Sequence, residues 1–220
     1  MRLPLAAAGL IVFTTHAHAA GGHFDVDDAT VLDAGHCQYE AWVARAPAAT
    51  ATLAHLGPSC RVGPVEIGVN VDRFSIAGEH RTLLGPQLKW VVDPLIDKLS
   101  AGVAWSASYD LTNRGRPAAQ TLYLPFTWWA TEKLWMHANI GMDRDAEGAR
   151  WRRQGLSAEW AANDKFTFIA ERVKFVDNWT SRVGGRFNVS ETLSVDLSAA
   201  RAGPRAERVY VVGLNQEFTR

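Results

Sequence analysis

Val65-Glu66-Ile67-Gly68-Val69-Asn70-Val71-Asp72 sets an apolar residue against a polar or small one at every step. In an extended chain successive side chains point to opposite faces. Val65, Ile67, Val69 and Val71 therefore share one face, and Glu66, Gly68, Asn70 and Asp72 the other. The same period of two returns at 99–110, 134–143 and 193–200. Spacings of three and four, the mark of an amphipathic helix, are scarce. Reading outward gives twelve strands, near 36–45, 50–60, 65–74, 82–92, 99–110, 119–129, 134–143, 151–160, 166–174, 181–189, 193–200 and 207–218. The second, fourth and ninth alternate least regularly.

Alternation alone fits a β-sandwich as well as a barrel. Length decides between them. Strands of about 9–11 residues match a tilted membrane crossing, whereas globular strands are typically about 5–6. The polar face also carries charges at mid-strand, which the apolar interior of a small soluble barrel does not hold. The connections read as two classes. Short ones lie near 61–64, 93–98, 130–133, 161–165 and 190–192, and longer polar ones near 75–81, 111–118, 144–150 and 201–206. An even strand count with short turns at one end and longer loops at the other describes an outer-membrane barrel. The expectation is an all-β, closed antiparallel transmembrane barrel of about twelve strands in the outer membrane of a Gram-negative bacterium.

The N-terminus agrees. Met1-Arg2 precedes an apolar run from Leu3 to Thr15 and then His16-Ala17-His18-Ala19-Ala20. A basic start, a short apolar core and an Ala-x-Ala exit describe a secretory signal peptide cut after Ala19 or one residue later. The run is too short for a spanning helix. The chain thus divides into a signal peptide over 1–19, a periplasmic lead-in or plug over 20–35, and a barrel over 36–220. The acidic stretch 25–33 reads first as a solvated lead-in and second as a plug. Lys+Arg and Asp+Glu are equal at 23 each, so no global field points to nucleic acid. Nine Trp residues suit a protein with two membrane interfaces, where amphipathic rings settle.

In an exported chain Cys37 and Cys60 meet an oxidising compartment. A hairpin centred near 48–49 sets them opposite each other, so they are expected to form a disulfide.

His23-Phe24-Asp25-Val26-Asp27-Asp28-Ala29, then Asp33-Ala34-Gly35-His36-Cys37-Gln38-Tyr39-Glu40, resembles the opening of the outer-membrane transporter family grouped under the meta-pathway of phenol degradation. Gly63 to Val69 looks like that family's third strand. Gly184-Gly185-Arg186-Phe187 and 193–197 look like its penultimate hairpin, and Val212 to Phe218 like its last strand. In this chain Thr219-Arg220 follow Phe218, whereas such barrels usually end on the aromatic. The resemblance implies a barrel and transport of small, often apolar or aromatic, molecules.

On this register the lumen is lined by Glu40, Glu66, Asn70, Asp72, Lys89, Asp110, His137, Asn139, Glu159, Glu171, Arg182, Arg186 and Asp196, with Gln87, Asp143 and Ser198 beside them. Such charges either select solutes in a water-filled bore or pair across a narrow one. At twelve strands a narrow, partly plugged lumen is expected. A structural or adhesive barrel without a pore is the alternative. A lipid-modifying enzyme would need His137 as a base with Ser106 or Ser108 and Asn139, groups that all face inward, away from a lipid substrate. No nucleophile elbow, zinc-protease pair or Walker loop occurs, and Asp25, Asp27 and Asp28 lack the remaining ligands of a calcium loop. No enzyme activity, cofactor or metal is expected. The expected partners are outer-membrane lipid, the barrel-assembly machinery and a small solute, with the barrel a monomer.

Overall fold

The computed structural model describes residues 23–175, 177–203 and 205–220. The signal peptide expected over 1–19 lies outside the described residues. Twelve antiparallel strands close on themselves: β1 (His36–Ala46), β2 (Ala51–Val62), β3 (Val65–Ile76), β4 (Glu79–Ile96), β5 (Leu99–Asp110), β6 (Arg116–Trp129), β7 (Leu134–Asp145), β8 (Arg150–Asn163), β9 (Phe166–Phe175), β10 (Asn178–Asn188), β11 (Leu193–Ala202) and β12 (Glu207–Thr219). Each strand pairs with its sequence neighbours, and β1 pairs with β12 from His36–Thr219 to Arg45–Tyr210. Closure leaves no unpaired edge, the condition for crossing lipid with strands.

Burial is inverted relative to a soluble fold. Leu156 is 66% exposed and Ile140 62%, while Glu159 and Asp196 are 0% and Asn139 1%. The greasy row faces out and the charged row faces in, as the period of two requires. Strand β9 breaks the pattern inward, because Ile169 and Val173 point into the barrel and are buried there. That accounts for its weak alternation.

Two features depart from the sequence reading. The connection expected over all of 93–98 is mostly strand. β4 runs to Ile96, pairs with Leu99 after an irregularity between Val92 and Ile96, and turns over Asp97–Lys98 alone. Pro94 lies in that irregular stretch, where its missing N–H costs no ladder bond, and the Ser100 hydroxyl donates to the Asp93 carboxylate. Nor are the connections at the other end long. The links at 77–78 and 146–149 are as short as those at 63–64 and 130–133. Ala77 (φ 50°) and Gly78 (φ 90°) make a two-residue hairpin with both central residues left-handed. Strands outrun the apolar belt there, where both faces turn polar and alternation fades although backbone pairing continues.

Cys37 and Cys60 are direct cross-strand partners and form a disulfide between β1 and β2. Their neighbours two residues along, Tyr39 and its cross-strand partner Pro58, face outward. Exposed aromatic rings gather at the end that carries both termini, with Trp90, Trp128, Trp160 and Phe218 between 44% and 52% exposed and Trp160 stacked on Phe168 at 5.7 Å. At the other end Trp179 lies on β10, ahead of the strand expected from 181, with the Arg172 guanidinium 4.8 Å from its ring. Alkylating the unfolded, unreduced protein is expected to label neither cysteine, and reduction to expose both. A labelled thiol before reduction would contradict the pairing.

Candidate functional site

An extended peptide inside a barrel has no ladder to join, so each backbone N–H needs another acceptor. The segment 23–33 meets this need with wall side chains. Phe24 is 7% exposed, Val26 and Ala29 0% and Asp28 3%, so the acidic stretch is inside the lumen and is not a solvated lead-in. The Glu171 carboxylate accepts from the Asp25 and Val26 amides at 3.2 and 2.9 Å. Asn139 accepts from the Asp27 amide at 2.8 Å and donates to the Asp27 carbonyl at 2.7 Å, like one rung of a ladder. The Thr127 hydroxyl accepts from Ala29 N–H at 2.7 Å, and Glu66 from Leu32 N–H at 3.2 Å. The segment's own Asp27 and Asp28 carboxylates take the amides of Asp28 and Thr30. Every N–H from Asp25 to Thr30 is accepted by a side chain.

Charge matches as well. Lys89 Nζ lies 2.9 Å from both Asp27 Oδ1 and Asp28 Oδ1, and Tyr123 donates to Asp27 Oδ2 at 2.8 Å. Arg182 reaches Asp25 at 2.7 Å and Glu171 at 2.8 Å, tying wall and segment into one network. His23 shares a hydrogen bond of 2.7 Å with Ser198. Burial, then the Arg182 charge, pushes the His23 imidazole down to about 4, so it is neutral at pH 7. Val26 presses against β8 and β9 so closely that a Cβ on Gly155 would lie 2.7 Å from its Cγ2. Only glycine leaves that room.

The remaining lumen residues pair wall to wall. Arg186 grips Asp196 with two bonds of 2.8 and 2.9 Å, and Asn215 donates to the same carboxylate. Asp72 meets His55 at 2.7 Å, and His55 stacks on Trp42 at 4.8 Å. Asp143 meets Arg153 at 3.0 Å, and Asn70 donates to Gln87 at 3.1 Å. Glu40 is half-buried in the inward row of β1. His137 shares a bond of 2.9 Å with Thr127 and lies 3.3 Å from Glu159. Neither Ser106 nor Ser108 is among its partners in the described residues, so the nucleophile–base pair is not assembled. Asp110 sits apart from the rest. It caps the turn after β5 by accepting from the Thr112 and Asn113 amides. Trp42, His55, Arg61, Tyr123, Thr127 and Arg153 were missed by the sequence reading. Arg61 falls in the turn expected at 61–64; inward parity picks out the other five, of which the Trp42 and Tyr123 rings and the Thr127 hydroxyl carry no charge signal.

Lys89→Met removes both ion pairs and leaves the buried Asp28 and half-buried Asp27 carboxylates without that cation, a loss of about 3 kcal/mol in the hold on the segment. Hydrogen exchange at the Asp27 and Ala29 amides is expected to quicken about 100-fold, with strand amides unchanged. Unaltered exchange at those two amides would show that Lys89 does not hold the segment.

Several solved outer-membrane barrels share this architecture. The KdgM porin in complex with disordered oligogalacturonate superposes with a TM-score of 0.66 at 11% identity, over 83% of this chain and 99% of that one. The COG4313 outer membrane channel from Pseudomonas putida F1 gives 0.64 at 11%, over 89% and 100%. The NanC porin gives 0.61 at 10%, over 82% and 98%. At such identities the likeness is one of fold. No curated protein matches the sequence. A family model described as uncharacterised conserved protein UCP029691 matches residues 8–215, and the chain belongs to that family.

Proposed function

We propose that the protein is a narrow outer-membrane channel for small molecules whose lumen is occupied at rest by its own segment 23–33. One observation carries this reading: the segment is held by hydrogen bonds and ion pairs to wall side chains and by no β-ladder. Contacts of that kind exchange for water or solute polar groups at small net cost. The segment can therefore leave without unravelling the barrel. The similar solved structures are porins and channels, which supports a channel over a purely structural barrel.

The solute is small. The phenol meta-pathway likeness favours an apolar or aromatic one. The wall favours a polar one, because its inward row is charged and, of its buried inward apolar pair Ile169 and Val173, Val173 lies with Val26 against Gly155 within the occupied zone. A lipid-modifying enzyme has the least support, since His137 is committed to Thr127 and Glu159. The protein is exported by its signal peptide, inserted by the barrel-assembly machinery and active as a monomer. Cleavage after Ala19 leaves Ala20-Gly21-Gly22 ahead of His23.

Planar-bilayer recordings test the proposal. The mature full-length chain is expected to be closed or to conduct in small, infrequent steps, and a version lacking residues 23–33 to conduct several-fold more. If removing the segment leaves a folded but silent barrel, the structural reading takes its place.

A further inference from the structure

The outward face is not uniform along the barrel axis. Toward the end opposite the termini, Arg201 on β11 faces Arg208 on β12 directly. Both are exposed, in the same outward rows as Ala199 and Tyr210. Arg45 on β1 stands opposite Tyr210, and Arg205 is exposed in the following turn. Among the described residues none of these four arginines is ion-paired. Like charges directly opposed across a strand pair are destabilising. Arg144 and Arg150 repeat the arrangement across β7 and β8 at the same end.

Beneath the arginines the wall is grooved. A groove of about 560 Å³ is lined by Val43, Val183, Leu197, Tyr210 and Val212, with Arg45 at its margin. A second, of about 540 Å³, shares Tyr210 and is lined by Arg205, Arg208 and Glu207. A shallow, open apolar depression in the outer wall therefore adjoins, at Tyr210, one bordered by arginines. Guanidinium groups bind phosphate oxygens bidentately, and a groove floored by Val and Leu takes hydrocarbon.

We propose that this seam of β1, β11 and β12 is a binding site for an anionic membrane lipid, its phosphate on Arg201 and Arg208 and an acyl chain in the groove below. The anion relieves the opposed charges, and the chain fills a concavity that straight bilayer tails pack poorly. The proposal rests on the reading of the barrel as membrane-embedded and is independent of whether its lumen conducts.

The full chain, folded in neutral maltoside micelles, is titrated with a diphosphorylated, multiply acylated glucosamine disaccharide and followed by native mass spectrometry. Phosphatidylcholine and inorganic phosphate serve as separate probes. The wild type is expected to retain one equivalent of the anionic lipid. The R201Q/R208Q double variant is expected to bind it roughly tenfold to thirtyfold more weakly. Ala199→Trp, which fills the groove and keeps the charges, is expected to weaken it as well. Both variants should keep the heat-dependent gel mobility of a folded barrel. Equal retention by wild type and R201Q/R208Q, or equal binding of phosphatidylcholine, overturns the proposal. Saturation by inorganic phosphate, with no gain from acyl chains, replaces the lipid with a free anion and overturns it too. A chain that binds the lipid in micelles but never enters bilayers overturns the membrane-embedded reading and this proposal with it, whereas a silent barrel that binds the lipid counts against the channel reading alone.

Discussion

A peptide bond inside a barrel lumen must be hydrogen-bonded to something, and here the barrel wall supplies the partners. That demand explains the composition of the inward row better than solute selection does. Glu171, Asn139, Thr127 and Glu66 lie on four different strands, and each accepts from an amide of the same short peptide. Any one of them replaced by an apolar residue would leave an N–H unsatisfied, at a cost of about 1–3 kcal/mol. The lumen polarity is thus largely a receptor for the chain's own N-terminal segment. Its cations follow the same logic: Lys89 and Arg182 stand where Asp25, Asp27 and Asp28 arrive.

The wall-to-wall pairs do a different job. Asp196 is fully buried, and two bonds from Arg186 with one from Asn215 make its charge tolerable there. Replacing a whole pair of this kind by apolar residues of equal volume is often neutral, whereas removing one partner leaves a buried charge alone. Such pairs therefore set register and spacing more than they add stability. Asp72 with His55, and Asp143 with Arg153, tie β2 to β3 and β7 to β8 in the same way.

How much of this could be read in advance follows from what each feature depends on. Alternation is local, so the twelve strands, the inward charges and the Cys37–Cys60 register were all readable from residue parity. Strand ends were less so. Above the apolar belt both faces are polar, and 75–81 looks like a loop although Ala77–Gly78 alone turns the chain. The position of the N-terminal segment was not readable, because three aspartates over a few residues look alike in water and in a lumen. What distinguishes the two is the set of acceptors on β3, β6, β7 and β9, up to 146 residues away in sequence. Only closure of the barrel brings them together.

The two faces of β11 and β12 also divide the work along one sheet. Inward, Asp196 and Ser198 take Arg186 and His23. Outward, one residue along the pleat, Leu197 and Ala199 line the wall beneath Arg201. A strand cannot slip by one residue without exchanging these sets, placing Asp196 in hydrocarbon and Leu197 against charges. The ionic grip inside and the greasy row outside therefore enforce the same register from opposite sides. Because β12 must also close on β1, an error at this seam would open the barrel and expose two unpaired edges to lipid. Coupling the register of the closing strands to two independent sets of contacts guards the step on which the whole ring depends.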